Sequence, residues 1–251
     1  VRTFLGVLLQ RGDPGDSSML SLLEMSPSHK RVFFTLMLIL LPPSEKKRTP
    51  ESEEVLELST LSFANELTFR RKELLTASHH SLPTAEAMSI YSGVLYQALG
   101  WKEMSHNAHE RGRESLVIIS ALFGALRAND KIPIYKEKIS VRNWKEPVSA
   151  ALSSINTDLI VDCRSSNYLG VWNPDPRKTV SIRVFSELNG TKKVITHLSK
   201  KTRGEVARAL LQLNTSPKSP PQLQESLSKE FSCELIAGSE KQSWKLDITV
   251  L

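Results

Sequence analysis

Hydrophobic positions in this chain fall into short runs and alternations rather than long stretches. The run Val32–Leu41 (VFFTLMLILL) is apolar except for Thr35 and stops at Pro42-Pro43. It is about half the ~18 residues needed to cross a bilayer. Ser44-Glu45-Lys46-Lys47 follows the prolines at once, so the small-residue cleavage site of a secretion signal is missing. A short apolar run bounded by turn residues is the pattern of a strand buried on both faces, and it opens clearly at Met37. Upstream, Val1–Leu36 mixes apolar pieces with Gly, Pro and Ser and holds no sustained period. It reads as an extension, an over-long start or a mobile arm, which leaves 37–251 as the domain.

Beyond Met37 the pattern alternates between periods. Ser52–Leu58 reads as a short helix and Glu66–Ala77 as a longer basic one. Thr84 can cap a helix running through AEAMSIYSGVLYQAL to Gly100, a residue suited to a left-handed stop. LVIIS (Leu116–Ser120) is a buried strand, IPIYKEKI alternates weakly, and WKEPVSAALSSI is helical with Pro147 near its first turn. DLIVDCRSSNYLGVW repeats a strand, polar loop and helix. In TVSIRVFSELNGTKKVITHLS, Val180, Ile182 and Val184 alternate, and Asn189-Gly190 supplies a hairpin turn. TRGEVARALLQL places Val206, Leu210 and Leu213 on one helix face, SPKSPP is a linker, and CELIAG and WKLDITV are closing strands. The mixture predicts an α+β (mixed α/β) fold: a single domain with a central mixed β-sheet, helices around it and a basic cleft.

Charge adds a partner class. Thirty-three Lys and Arg against 27 Asp and Glu leave a net +6, concentrated at Lys46-Lys47-Arg48, Arg70-Arg71-Lys72, Lys192-Lys193 and Lys200-Lys201-Thr202-Arg203. Such clusters, if they converge, favour polyanions. Two cysteines, Cys163 and Cys233, make no disulfide framework and suit a reducing cytoplasm, although a single bridge is compatible with them.

Candidate chemistry sits in loops after apolar strands. Pro42–Lys47, Ser120–Arg127 and Asp162–Tyr168 each follow one, and in such sheets functional groups gather at the carboxyl ends of strands. A fourth segment, HLSKKTRG, follows the hairpin. Brought together they would assemble Ser44, Glu45, Lys47, Arg127, Asp162, Arg164, Ser165, Lys200 and Arg203 in a site for phosphate or another anion. Singly, each is more commonly a capping or surface residue. Ser44-Glu45-Lys46-Lys47 also fits the S-x-x-K pattern of penicillin-binding enzymes, but that chemistry needs both residues one helical turn apart, and the matching K-T-G is interrupted at Lys201-Thr202-Arg203-Gly204. His106 and His109 lack further ligands, as do His79 and His80, so no metal site is expected. The tryptophans at 101, 144, 172 and 244 follow no stacking pattern and read as packing.

Five pieces, MLILLPPSEKK, YSGVLYQALG, SALFGALRANDKIPIY, LIVDCRSSNYLGVW and HLSKKTRGEVARALL, resemble in order the bacterial YaaA family, associated with resistance to peroxide stress. The resemblance runs from Met37 to about Leu211. It implies a cytoplasmic, cofactor-free protein with a positively charged cleft that binds duplex DNA beside a helix-hairpin-helix element and limits iron-driven oxidative damage. By position Ser44, Glu45 and Lys47 match the first family loop, Arg127 and Tyr135 the second, Asp162, Ser165 and Tyr168 the third, and Lys200, Arg203 and Gly204 the fourth. Two departures stand out. Lys46 replaces a glycine of similar relatives, and the segment between RRKELLTASHH and SIYSGVLY is short by a helix, which trims the DNA-binding element.

The leading expectation is sequence-independent DNA binding, with Arg70, Arg71, Lys72 and the cleft lysines replacing counterions on the phosphates. The alternative is an enzyme acting on a small nucleotide- or nucleobase-like anion, with Glu45 or Asp162 as acid–base and Lys47 and Lys200 holding charge. A third is an interaction protein with neither activity. No membrane partner is expected, and the sequence does not fix the oligomeric state.

Overall fold

The apolar run that ends at Pro42 becomes strand β1 (Phe33–Leu41), starting at Phe33 rather than Met37. The computed structural model describes residues 33–188, 191–193 and 196–250. The expected Val1–Leu36 extension lies almost wholly outside them, as does the Asn189-Gly190 turn. After β1 no helix forms at Ser52–Glu57, where one was expected, and the chain makes only a 3-10 turn at Leu58–Thr60. Helices α1 (Ala64–Leu74) and α2 (Ala77–Ser81) follow. Thr84–Leu99 is not one helix but strand β2 (Thr84–Glu86), helix α3 (Ala87–Ile90) and helix α4 (Val94–Leu99). Gly100 does stop α4 in the left-handed region, at φ 63°.

Helix α5 (His106–Ser115) leads into β3 (Leu116–Ser120), which turns back as β4 (Gly124–Leu126). Strand β5 (Lys131–Pro133) pairs with β2 in a separate small sheet. Helix α6 (Val141–Ser153) begins at a Ser140 cap, so Pro147 lies in its interior. Then come β6 (Ile155–Asp162), α7 (Ser166–Leu169), β7 (Thr179–Leu188), β8 (Thr191–Lys193), α8 (Thr196–Gln212), α9 (Pro220–Leu227), β9 (Ser232–Ile236) and β10 (Trp244–Val250). Helix α9 occupies part of the expected SPKSPP linker, with Ser219 accepting from the Gln222 N–H and Pro220 at the first helical position.

The main sheet has the order β4-β3-β1-β6-β7-β10-β9, with β8 on β7. Strands β3, β1, β6, β7 and β10 run parallel, while β4, β8 and β9 pair antiparallel. The fold is thus α+β with a mixed sheet. Alternate residues feed two cores. Met37, Ile39 and Leu41 join the core under Leu95, Leu99, Val206 and Leu210, while Leu38 and Leu40 join the core under Leu67, Trp144 and Val148. Burial on both faces explains why the central strands read as unbroken apolar runs.

Candidate functional site

The register of the central strands sets the site. Leu40 lies opposite Asp162 in β6 and Leu41 opposite Ile118 in β3, so the chain leaves β1, β3 and β6 at the same sheet edge. Strand β7 continues past the end of β6 from the Asp162–Ser181 pair.

The first loop is extended and docks on the break between α3 and α4. The Arg48 N–H donates to the Ile90 carbonyl at 2.8 Å and the Ser92 N–H to the Lys46 carbonyl at 3.0 Å. Ser44 Oγ accepts from the Gly93 N–H at 2.9 Å, and Lys47 bridges Tyr91. A Cβ on Gly93 would overlap Ser44 Oγ, which explains the glycine. Ser44 and Lys47 are therefore not one helical turn apart, and the S-x-x-K chemistry has no geometry here. Lys46 has its side chain exposed.

All four tyrosines of the chain gather here. Tyr96 OH donates to the Pro42 carbonyl at 2.7 Å, and its ring lies 5.1 Å from that of Tyr91. The Tyr91 and Tyr135 hydroxyls are 2.7 Å apart, and Ser120 Oγ is 2.8 Å from Tyr135 OH. Tyr168 lies within electrostatic reach of Tyr96, Tyr135 and Glu45. Burial raises the Tyr135 hydroxyl to about 12, so these phenols are neutral donors and acceptors. Lys47 Nζ stands 4.0 Å from the Tyr135 ring centroid and 5.8 Å from that of Tyr91. Partial burial lowers its pKa, against the pull of Glu137 and Glu45.

The third loop is built on a buried ion pair. Asp162 Oδ1 accepts from the Arg164 backbone N–H at 3.0 Å and from Nε at 2.9 Å, and Oδ2 accepts from Nη2 at 2.7 Å. Arg164 Nη1 donates to the Tyr168 and Trp172 carbonyls at 3.3 and 3.0 Å. The pair clamps the loop on itself and leaves neither the carboxylate nor the guanidinium open to a ligand. Ser165 is half-buried and precedes α7, its carbonyl accepting from the Tyr168 N–H.

HLSKKTRG is helical rather than a loop. Lys200 is exposed on α8, Lys201 pairs with Glu205 at 3.4 Å, and the Arg203 guanidinium lies 3.4 Å from the Ile182 carbonyl. Arg203 also lies near Cys163, whose thiol burial raises to about 12 despite that cation. Gly204 packs on α4, where a Cβ would collide with the Leu95 carbonyl oxygen. Both cysteines are free.

Two expected members sit elsewhere. Gly124, at φ 75°, turns the chain back into β4 and carries Arg127 to the start of β3. There its guanidinium donates to the Glu114 and Leu116 carbonyls, at the opposite end of the strands from Ser44. Arg71, expected on a phosphate, is wholly buried. Nε donates to the Phe123 carbonyl at 3.0 Å, and Nη2 donates to the Ala125 and Ser62 carbonyls at 2.9 Å each. Helical spacing puts it inward with Leu67 and Leu74, whereas Arg70 pairs with Glu73 and Lys72 is exposed. Sequence reasoning missed Tyr91, Tyr96 and Ser120. No local signal marked Tyr91 and Tyr96, which lie in a helix-like segment away from the polar loops, whereas Ser120 opens one of those loops.

His79 is buried, its Nδ1 accepting from the Thr76 N–H at 3.1 Å, and His109 Nε2 lies 2.6 Å from the Trp101 carbonyl. Both are packed against the fold. No group of three or more His, Cys, Asp or Glu able to hold a metal occurs among the described residues. A cavity of about 360 Å³ beside Met37, Asn107 and Arg111 holds none of the candidate residues. One of about 260 Å³ lies beside the first loop, between Arg48, Tyr91, Tyr96 and Trp101. No described helix is long and apolar enough to cross a membrane.

A family model described as peroxide stress protein YaaA matches residues 53–235. The chain belongs to this family. Among YaaA-like relatives, a UPF0246 protein of Streptomyces coelicolor is 32% identical over 256 residues, covering 96% of this chain and 93% of that protein. A UPF0246 protein of Corynebacterium efficiens is 34% identical over 223 residues, covering 72% and 86%. An uncharacterized protein of Campylobacter jejuni is 34% identical over 131 residues, covering 49% and 51%. The YaaA match spans the first loop's docking partners, the tyrosines, the Asp162–Arg164 clamp and α8.

Proposed function

We propose that this YaaA-family protein acts in peroxide stress in the cytoplasm by binding duplex DNA through its phosphates, without base readout. The observation that carries the proposal is the shared carboxyl end of β1 and β6, with Arg203 of α8 within electrostatic reach of Cys163 just past β6. Exposed Lys46, Arg48, Lys200 and Lys201 come from these segments, and the one buried carboxylate among them, Asp162, is neutralised by Arg164. Surface cations of this kind bind polyanions by releasing condensed counterions, which makes affinity salt-dependent and insensitive to sequence. Bound protein would then shield the backbone from oxidants formed by iron and peroxide.

Fluorescence anisotropy of two duplexes of unrelated sequence, titrated at several salt concentrations, tests this. Similar affinities that weaken together as salt rises are expected. No binding at low salt, or strong preference for one sequence, would overturn the proposal. Arg71 takes no part in it, because its guanidinium is spent on three carbonyls inside the fold.

A further inference from the structure

Lys47 does not resemble the other lysines of this surface. Lys46 beside it is exposed. The Lys47 stem is fixed by the bridge between its backbone and Tyr91, and its amine is half-buried against the faces of Tyr135 and Tyr91. Glu137 and Glu45 act on it through charge alone, and among the described residues no carboxylate is ion-paired with it. The ring faces attract an ammonium, and loss of water opposes it; loss of water is the largest influence, so the free amine is present at lower pH than in an exposed lysine.

Groups that suit carbonyl chemistry lie in the same loop and on the tyrosines that this amine stands over. Ser44 Oγ already accepts from Gly93 N–H, which leaves its own O–H free to donate. The Tyr91–Tyr135–Ser120 hydroxyl chain is anchored by the Phe123 N–H donating to Ser120 Oγ at 3.0 Å. Glu45 is exposed and acts on the Lys47 amine through charge, and the cations Lys46 and Arg48 are exposed in the same loop.

We propose that Lys47 is an amine nucleophile for a small anionic carbonyl compound, an aldehyde or ketone carrying a carboxylate or phosphate, which it holds as an imine. The Nζ lone pair attacks the carbonyl carbon, a C–N bond forms, and the carbonyl oxygen takes up a proton. The carbinolamine then loses its hydroxyl, with a proton, as water and becomes the imine; addition of water reverses the sequence. No electron is gained or lost overall. Glu45 is placed to carry the protons, and Lys46 and Arg48 to draw in the anionic group. This inference is independent of DNA binding and stands or falls without it.

The test uses the full chain, with glyoxylate as probe and cyanoborohydride to reduce the imine to a stable amine, and peptide mass spectrometry to locate it. Lys46 is a demanding internal reference, because access favours it. At neutral pH, Lys47 is expected to be labelled at least tenfold faster than Lys46. Its labelling should also reach half-maximum at lower pH, and uncharged glycolaldehyde should discriminate less. The comparison is made within the wild-type protein, so it does not depend on a variant folding. Lys47→Arg should remove the fast adduct, and Lys145→Arg, at an exposed position of α6, should leave it. A Lys47 rate no greater than that of Lys46, or the same pH midpoint for both, overturns the proposal.

Discussion

Replacing Arg71 by methionine separates a structural cation from a DNA-binding one. The guanidinium has no exposed surface and donates to the carbonyls of Phe123, Ala125 and Ser62. Two of these acceptors belong to the turn and strand that reverse the chain after β3. Methionine fills much of the stem but leaves three acceptors without the guanidinium donor and Asp130 without one of its two neighbouring arginines. Each buried orphan costs about 1–3 kcal/mol, and breaking a buried charged interaction costs about 3–5 kcal/mol in all. One nitrogen, Nη1, already lacks a partner, which argues for the lower half of that range. With a urea dependence of about 2 kcal/mol per molar, the midpoint should fall by roughly 1.5–2 M. Tryptophan fluorescence can follow the unfolding, since Trp144 packs beside Gly124 at this turn. Arg70→Ala, which removes only a surface pair with Glu73, should change stability by no more than about 0.5 kcal/mol. DNA affinity per folded molecule should be unchanged by Arg71→Met. A variant of wild-type stability that loses DNA binding would refute the reasoning and restore Arg71 to the surface.

Three further outcomes follow from the same contacts. Gly204→Ala would push a methyl into the Leu95 carbonyl oxygen, and overpacking of this kind costs about 1–3 kcal/mol, visible as a lowered melting temperature; an unchanged melting temperature would mean that α8 and α4 do not meet there. A thiol reagent at pH 8 should modify half-buried Cys233 in the native protein and spare Cys163, whose buried thiol sits near 12, with both reacting after unfolding; equal native rates would contradict this. Asp130 is buried, which raises its pKa above 3.8, so the folded chain binds this proton more tightly than the unfolded one. Its contribution to stability should therefore fall as pH rises from 3.8 through the raised value and level off above it. The wild-type minus Asp130→Asn difference in unfolding free energy, measured across that window, should decrease; an increase would show that the carboxylate is favoured as an anion.

The sheet was legible where burial left a simple record. Strands β1 and β3 and the second half of β6 are covered on both faces and read as apolar runs, and Val180, Ile182 and Val184 alternate because one face of β7 is covered more fully than the other. The first loop and the third were placed at one edge by the parallel-sheet rule. The failures have tertiary causes. Thr84–Leu99 carries helical periodicity, yet the first loop pairs with Lys47's partner Tyr91 and with Ser92, breaking the helix there. The first turns of α8 expose Lys200 and Lys201 and bury small Ser199 and Thr202, so they show no apolar stripe. Arg127 was misplaced because a local reading of Ser120–Arg127 misses the reversal at Gly124. Arg71 was readable in principle, since Leu67, Arg71 and Leu74 are spaced by four and three, but a run of three basic residues suggests a surface. The Ser219 cap and Pro220 likewise announce α9, which a proline-rich stretch disguised.

The central claim is phosphate binding by the exposed cations of the first loop and of α8, and the salt dependence of duplex affinity tests it most directly. Anisotropy titrations of one random duplex should give log affinity falling linearly with log salt. Each phosphate contact contributes about 0.9 to the slope, so Lys46→Glu with Lys200→Glu should flatten it by roughly 1.8 if each cation neutralises one phosphate. Lys72→Glu on α1 provides the comparison for the opposite placement. A slope reduced by the first pair and not by the second supports the account. A slope untouched by Lys46 and Lys200 but flattened by Lys72, or a duplex that does not bind at low salt, would contradict it.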